Sequence, residues 1–257
     1  MSALTNFKAL SFDVFSTLID WETGITADLA PILSQLPSSH PWVQNPLLAA
    51  QQFNHHSESL WASQPTLKYD ANLAESFKLL AREAGVTVQD ADAAAVGTGP
   101  GRWKAFPDTV AGLRKLKKYY KLIILSNVNN ENIARTVKDN LIGFDGVYTA
   151  ENIGSYKPNH ANFRYLFAHA KEDFGVDWEK GELLHVARSL TADHVPAKEL
   201  GLPSCWIARG GDKEEGYGLG GNLKELEDQG KLAFEWKYDT LGEFADEVER
   251  QFEAKGE

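Results

Sequence analysis

From Val110 onward, short apolar runs alternate with apolar stripes at helical spacing, and this alternation limits the fold more than any other feature of the chain. The runs are Leu122–Leu125, Gly146–Thr149, Leu183–Ala187 and Ser204–Ile207, and Lys8–Phe12 near the N-terminus matches them. Between them, Val110, Leu113, Leu116 and Tyr120 form one stripe, and Ile133, Val137 and Leu141 form a second with Gly143 placed to stop it. Phe163, Leu166, Phe167, Ala170 and Phe174 form a third, followed by Gly175. Strands and helices in such alternation predict an α/β fold in which helices cover the faces of a parallel sheet.

The stretch from Ile25 to Val96 breaks the pattern. It carries helical stripes without strands: Leu29–Ile32–Leu33–Leu36, then Leu47–Ala50–Phe53 leading to Leu60–Trp61, then Leu73–Phe77–Leu80–Ala84. We read it as a helical subdomain inserted after the first strand, over 18–100, with the core formed by 1–17 and 101–257. Gly97-Thr98-Gly99-Pro100-Gly101 is expected to be its flexible return hinge. Gly210–Gly221, rich in glycine and charge, reads as a surface loop. Its Gly216, Gly218 and Gly221 match a dinucleotide-binding spacing but do not follow the first strand of a βαβ unit, so that assignment is rejected.

Composition excludes several roles. Hydrophobic residues make up 43% and charged residues 24%, as in a folded globular protein. The formal charge of -10, without a Lys/Arg block, argues against a nucleic-acid partner. The basic pairs Arg114–Lys115 and Lys117–Lys118 fall on a polar helix face and read as solvated. One cysteine, Cys205, permits neither an intrachain disulfide nor a Cys-based zinc site and reads as a buried structural thiol. No apolar run reaches membrane-spanning length, and Asp13 interrupts any signal-peptide core, so the expected address is the cytoplasm.

Ligands of open parallel sheets bind at the carboxyl ends of the strands. There the first strand delivers Asp13-Val14-Phe15-Ser16-Thr17, the second Ser126-Asn127, the third leads to Lys157-Pro158, and the fourth to Arg188-Ser189-Leu190-Thr191-Ala192-Asp193. Each alone is ordinary, since Asp and Ser-Asn serve as caps or turns and a lysine beside Pro is usually solvated. Four strands in succession delivering a carboxylate, a hydroxyl–amide pair, a lysine and a second carboxylate to one edge is not ordinary. Among other candidates, His55-His56 diverge around a helix and suit chelation poorly. His185 reads as a satisfied core histidine, His194 as a residue lining the site, Trp21 as a core aromatic with a cleft wall as the alternative, and Trp61 and Trp103 as packing residues.

In order and spacing these segments resemble the four motifs of the haloacid dehalogenase superfamily, and most closely its L-2-haloacid dehalogenase branch, where an aromatic residue stands two positions after the nucleophile, as Phe15 does. The resemblance implies a Rossmann-like parallel sheet with a helical cap inserted after strand one. It implies catalytic roles for Asp13, Thr17, Ser126, Lys157 and Asp193, and contact with substrate by Phe15, Ser16, Asn127 and Ser189; Arg188 and Trp21, which no family motif supplies, are candidate substrate contacts by position alone. Asp13 would displace halide from a short 2-halocarboxylic acid or similar anion, and water would open the resulting ester to a 2-hydroxy acid. Neither metal nor other cofactor is implied, and a homodimer is compatible with the branch.

The superfamily's phosphatases carry a second Asp two residues after the nucleophile and an acidic metal ligand early in the fourth motif; Phe15 and Arg188 stand there instead. Departures from the dehalogenases are also present. The stretch Leu47–Gln52 lacks their cap arginine, Phe163 replaces a tyrosine, and Arg188 and Leu190 replace a small residue and an asparagine. Two roles stay open for Arg188: a substitute anion anchor, or a partner of Asp13 or Asp193 that blunts catalysis. A phosphatase or other hydrolase of this superfamily and a catalytically silent ligand-binding protein are the alternative readings.

Overall fold

A computed structural model describes residues 3–211 and 220–256. Most of the expected Gly210–Gly221 surface loop, including Gly216 and Gly218, lies outside the described residues. Six parallel strands form one sheet in the order β3-β2-β1-β4-β5-β6. They are β1 (Ala9–Phe12), β2 (Lys121–Ser126), β3 (Gly146–Thr149), β4 (Leu183–Ala187), β5 (Ser204–Ile207) and β6 (Trp236–Tyr238). The first five follow the apolar runs. The sixth, Trp-Lys-Tyr, is an edge strand too short to produce a readable alternation. Strands β1, β4 and β5 are buried throughout, which is why they read as continuous apolar runs.

Helices α7 (Thr109–Leu116), α8 (Asn130–Asn140), α10 (His160–Phe174) and α13 (Leu241–Lys255) cover the sheet, and the short α9 (Ala150–Ile153), α11 (Val195–Leu200) and α12 (Leu223–Asp228) lie in the connections. Gly175 ends α10 in the left-handed conformation, with its N–H donating to Ala170 O and Lys171 O. The basic residues of the α7 region pair with α13: Lys115 reaches Asp246 at 2.5 Å, and Lys118 reaches Glu249 at 2.9 Å.

Between β1 and β2 lie α1 (Trp21–Asp28), α2 (Ala30–Leu33), α3 (Pro41–Gln44), α4 (Pro46–Ser63), α5 (Tyr69–Glu83) and α6 (Asp90–Gly97), with no strand of the sheet among them. The stripe over Leu29–Leu36 is not one helix. Pro31 has no N–H to continue α1, and the chain breaks at Leu29 before the short α2. The outgoing and returning segments run antiparallel at the bridge Ile19↔Ala105.

The expectation of a flexible hinge at 97–101 is corrected. Gly99–Gly101 is a buried 3₁₀ turn. Asn132 Nδ2 donates to Gly97 O at 2.9 Å and Thr136 Oγ1 to Pro100 O at 2.8 Å, tying the turn to α8. A Cβ on Gly99 would lie 2.3 Å from Asp28 Oδ2, and one on Gly101 would crowd Arg135 at 3.0 Å. These glycines serve close packing rather than mobility.

Candidate active site

Strand β1 lies where the strand order reverses, and its carboxyl end opens into a crevice between β2 and β4. Asp13 follows it directly. The chain then turns sharply: Ser16 has φ of 69°, and its N–H donates to Ile19 O at 2.8 Å. A left-handed non-glycine residue carries strain that the surrounding contacts must hold. The turn brings Thr17 back under Asp13, so that Thr17 Oγ1 donates to Asp13 Oδ2 at 2.8 Å. The same hydroxyl oxygen accepts from Arg188 N at 2.9 Å, which fixes its proton toward Asp13.

Lys157 comes from beyond β3 and is almost wholly buried. Its Nζ donates to Asp13 Oδ1 (3.0 Å), Leu125 O (3.0 Å) and Asp193 Oδ1 (2.6 Å), which uses all three ammonium protons. Its backbone is held by Asn127: Lys157 N–H donates to Oδ1 at 2.7 Å, and Nδ2 donates to Lys157 O at 3.0 Å. Asp193 sits on a single turn of π-helix, Leu190–His194, fully buried. Turns of this kind are frequent at functional sites.

Two carboxylates therefore share one ammonium. Burial raises the Asp13 carboxyl, Lys157 pulls it back, and Asp193 raises it again, so it stands above the ordinary range. Burial also works against ionised Asp193, but the Lys157 charge and the bond from His185 more than offset it, bringing Asp193 to about 2. Lys157 loses favour as a cation by burial and regains it from both aspartates, ending above its ordinary value.

The cavity here has a volume of about 140 Å³. Asp13, Lys157 and Asp193 lie on its wall with Ser126, Asn127, Phe15, Ser16, Trp21, Arg188 and Ser189; Thr17 braces Asp13 from behind. Ser126 Oγ is buried with no hydrogen-bond partner among the described residues. Asn127 spends its amide on the Lys157 backbone, and Ser189 Oγ caps the π turn by accepting from Ala192 N at 3.1 Å. From the helical side come Tyr69, Trp61, Ser57, Asn54 and Glu58. Phe15 stacks on Tyr69 and meets the edge of Trp103, with centroids 6.1 and 5.7 Å away.

Two expectations change. The described ion pair of the Arg188 guanidinium is with Glu22, at 4.0 Å, and with neither aspartate. Burial raises Glu22 to about 7, with Arg188 opposing and Asp20 adding to the rise. His194 does not line the cavity. It is buried behind β4, with Nδ1 2.9 Å from Ser204 Oγ and Nε2 3.0 Å from Ala187 O, and burial lowers it to about 4. His185 is satisfied as expected, but one of its partners is Asp193. Sequence reasoning also missed Glu22. An acid one position after Trp21 on a helix start reads as a dipole partner, and only the fold shows Arg188 beside it.

A sequence profile of haloacid dehalogenase-like hydrolases matches residues 7–186. The chain belongs to this family. This hydrolase is 23% identical over 239 residues to (S)-2-haloacid dehalogenase H-109 of Pseudomonas putida, covering 90% of this chain and 98% of that one. It is 25% identical over 212 residues to the Escherichia coli 5-amino-6-(5-phospho-D-ribitylamino)uracil phosphatase YigB, covering 79% and 84%. Its fold matches the L-2-haloacid dehalogenase of Xanthobacter autotrophicus with a TM-score of 0.72 at 19% identity, over 94% of this chain and 98% of that one. A second structure of that enzyme, matching at 0.70, has chloropropionic acid covalently bound.

Proposed function

We propose that this hydrolase is a metal-independent dehalogenase of short 2-haloacids, with Asp13 as the covalent nucleophile. The observation that carries the reading is the Asp13 carboxylate held at both oxygens, by Lys157 and Thr17, in a cavity that supplies no acid at position 15 or 188. An Asp13 oxygen attacks the halogen-bearing carbon, the carbon–halogen bond breaks, and its electron pair leaves with the halide. Halide leaves without a proton, so Phe15 costs nothing here. An alkoxide leaving group would need the acid that Phe15 cannot supply. Water then opens the ester at the Asp13 carbonyl with Asp193 as base, giving the 2-hydroxy acid.

The donors present do not fit the Mg²⁺ of the superfamily's phosphatases. Arg188 stands where their acidic ligand would be, and both Asp13 oxygens are already engaged by donors. We assign Arg188 to the substrate carboxylate, which its planar fork can grip with two parallel bonds. The helical segment 18–100 acts as a cap that closes the cavity over the core, and the proposed address is the cytoplasm. Halide release from a panel of L- and D-2-chloro acids, run with and without EDTA, tests the reading. Release unaffected by EDTA is expected. Inertness to the panel together with Mg²⁺-stimulated turnover of p-nitrophenyl phosphate would replace this reading with a phosphatase.

A further inference from the structure

Asp193 is held unevenly. Its Oδ1 accepts from both Lys157 Nζ (2.6 Å) and His185 Nε2 (2.9 Å), while its Oδ2 is buried and has no partner among the described residues. A buried carboxylate oxygen left unsatisfied beside a polar cavity calls for an explanation. The uneven hold depends on His185. That ring lies on β4, fully buried, with Nδ1 2.8 Å from Ser11 Oγ on the adjacent β1, where Ser11 and His185 face each other in register. The Phe163 ring packs edge-on against it at 5.5 Å. Since an ionised carboxylate carries no proton, Nε2 is the donor to Asp193, and the Ser11 hydroxyl is placed to donate to Nδ1.

We infer that His185, locked by Ser11, is a positioning residue that turns Asp193 so that Oδ2 faces the cavity and receives the proton of the water that hydrolyses the ester. The inference rests on the ester mechanism proposed above. In that step the water oxygen bonds to the Asp13 carbonyl carbon, and one water proton passes to Asp193 Oδ2. The bond from that carbon to the bridging ester oxygen, which came from Asp13, then breaks, and Asp193 returns the proton to the departing 2-alkoxide. The remaining proton of the attacking water leaves to solvent as Asp13 ionises again. His185 touches neither water nor ester. Its loss should therefore slow hydrolysis and spare alkylation, because Lys157 still holds Asp13. A general loss of packing would slow both.

The test uses the whole chain with L-2-chloropropionate, comparing wild type with His185→Phe, His185→Gln and Ser11→Ala. Rapid quench followed by intact mass reports the Asp13 ester, and halide release reports alkylation. For His185→Phe we expect ester hydrolysis to slow on the order of 10- to 100-fold, the size usual for removing such an orienting partner. Alkylation should stay within about threefold, so that the ester accumulates. His185→Gln, whose amide can donate from near the Nε2 position, should restore most of the hydrolysis rate, and Ser11→Ala should lower it by a few-fold. Unchanged hydrolysis in His185→Phe, or equal loss of both steps, overturns the inference. If wild type forms neither halide nor ester, the dehalogenase reading fails instead, and crystal structures decide the positioning role. His185→Phe should show the Asp193 carboxylate rotated from its wild-type setting. An unrotated carboxylate in that variant, or in Ser11→Ala if the Phe variant does not fold, overturns it.

Discussion

The two walls of the cavity are built on different terms. On the sheet side, Asp13, Lys157, Asp193, His185 and Ser11 form an unbroken chain of buried hydrogen bonds between 2.6 and 3.0 Å. On the helical side, Trp61 stacks between Tyr69 and Tyr156 at 6.0 and 5.0 Å, and Asn54 donates to exposed Glu58 at 2.9 Å within its own helix. The first wall is held together by buried charge and its hydrogen bonds. The second is held by ring packing and short-range bonds that tolerate substitution. On the proposed function, chemistry belongs to the sheet wall and choice of substrate to the helical wall.

That division can be broken from either side. The largest effect is expected from Asp13→Asn, which keeps the shape and removes the nucleophile. Turnover should fall on the order of 10⁴-fold or more with an unchanged melting curve, deamidation being excluded by mass spectrometry. Appreciable turnover by the intact Asn variant would end the covalent mechanism. Lys157→Met should abolish turnover and also cost stability, on the order of 3–5 kcal/mol, because two buried carboxylates lose their shared cation. Denaturant titration measures it. A loss under about 1 kcal/mol would mean the aspartates relax into water and the sheet wall is not rigid.

Arg188→Gln should raise KM for 2-haloacids by roughly 10- to 100-fold with a smaller change in kcat, the size expected for losing charge-assisted bonds to a carboxylate. An unchanged KM would leave Arg188 as a structural partner of Glu22. The pH profile sharpens the same point. Asp13 must be ionised to attack, and it stands above the ordinary aspartate range, so activity should fall on acidification while ordinary aspartates are still charged. Asp193, at about 2, stays ionised through that window and should contribute no limb of its own. An acid limb at or below the ordinary aspartate range would contradict this. The smallest effect is expected from Trp61→Ala. Losing its stacks should shift kcat/KM among 2-haloacids of different chain length by about two- to tenfold, with Asp13 alkylation intact.

The same division explains what could be read before the fold was seen. Asp13, Ser126, Lys157 and Asp193 follow short apolar strands, and strand ends in a parallel sheet share one edge, so local pattern sufficed to gather them. The Arg188–Glu22 pair was not legible, because nothing local relates the end of β4 to the start of α1. The role of His185 depended on strand register: a histidine in an apolar run looks the same whether its ring meets a backbone carbonyl or Asp193. At Gly97–Gly101 the sequence suggests freedom where the structure uses close approach, because glycine permits both and only the neighbours, Asp28 and Arg135, decide. The helical wall stayed hidden for a related reason. Tyr69 and Trp61 carry ordinary core spacing, and facing a cavity rather than a neighbouring helix leaves no mark on periodicity.

The central place of β1 has a consequence for the order in which the molecule comes into being. Ala9 pairs with Lys121 on one side and Leu183 on the other. A chain emerging from the ribosome exposes Asp13 before its partners, yet the strand leading to it has no neighbour until the whole helical insertion has been made, and no second neighbour until β4 follows. The helices of 21–97 pack largely on one another and can gather during that wait. Asp13, Lys157 and Asp193 can come together only once β4 and the turn after it have been made, so shorter chains carry Asp13 without the partners that would activate it under the proposed function.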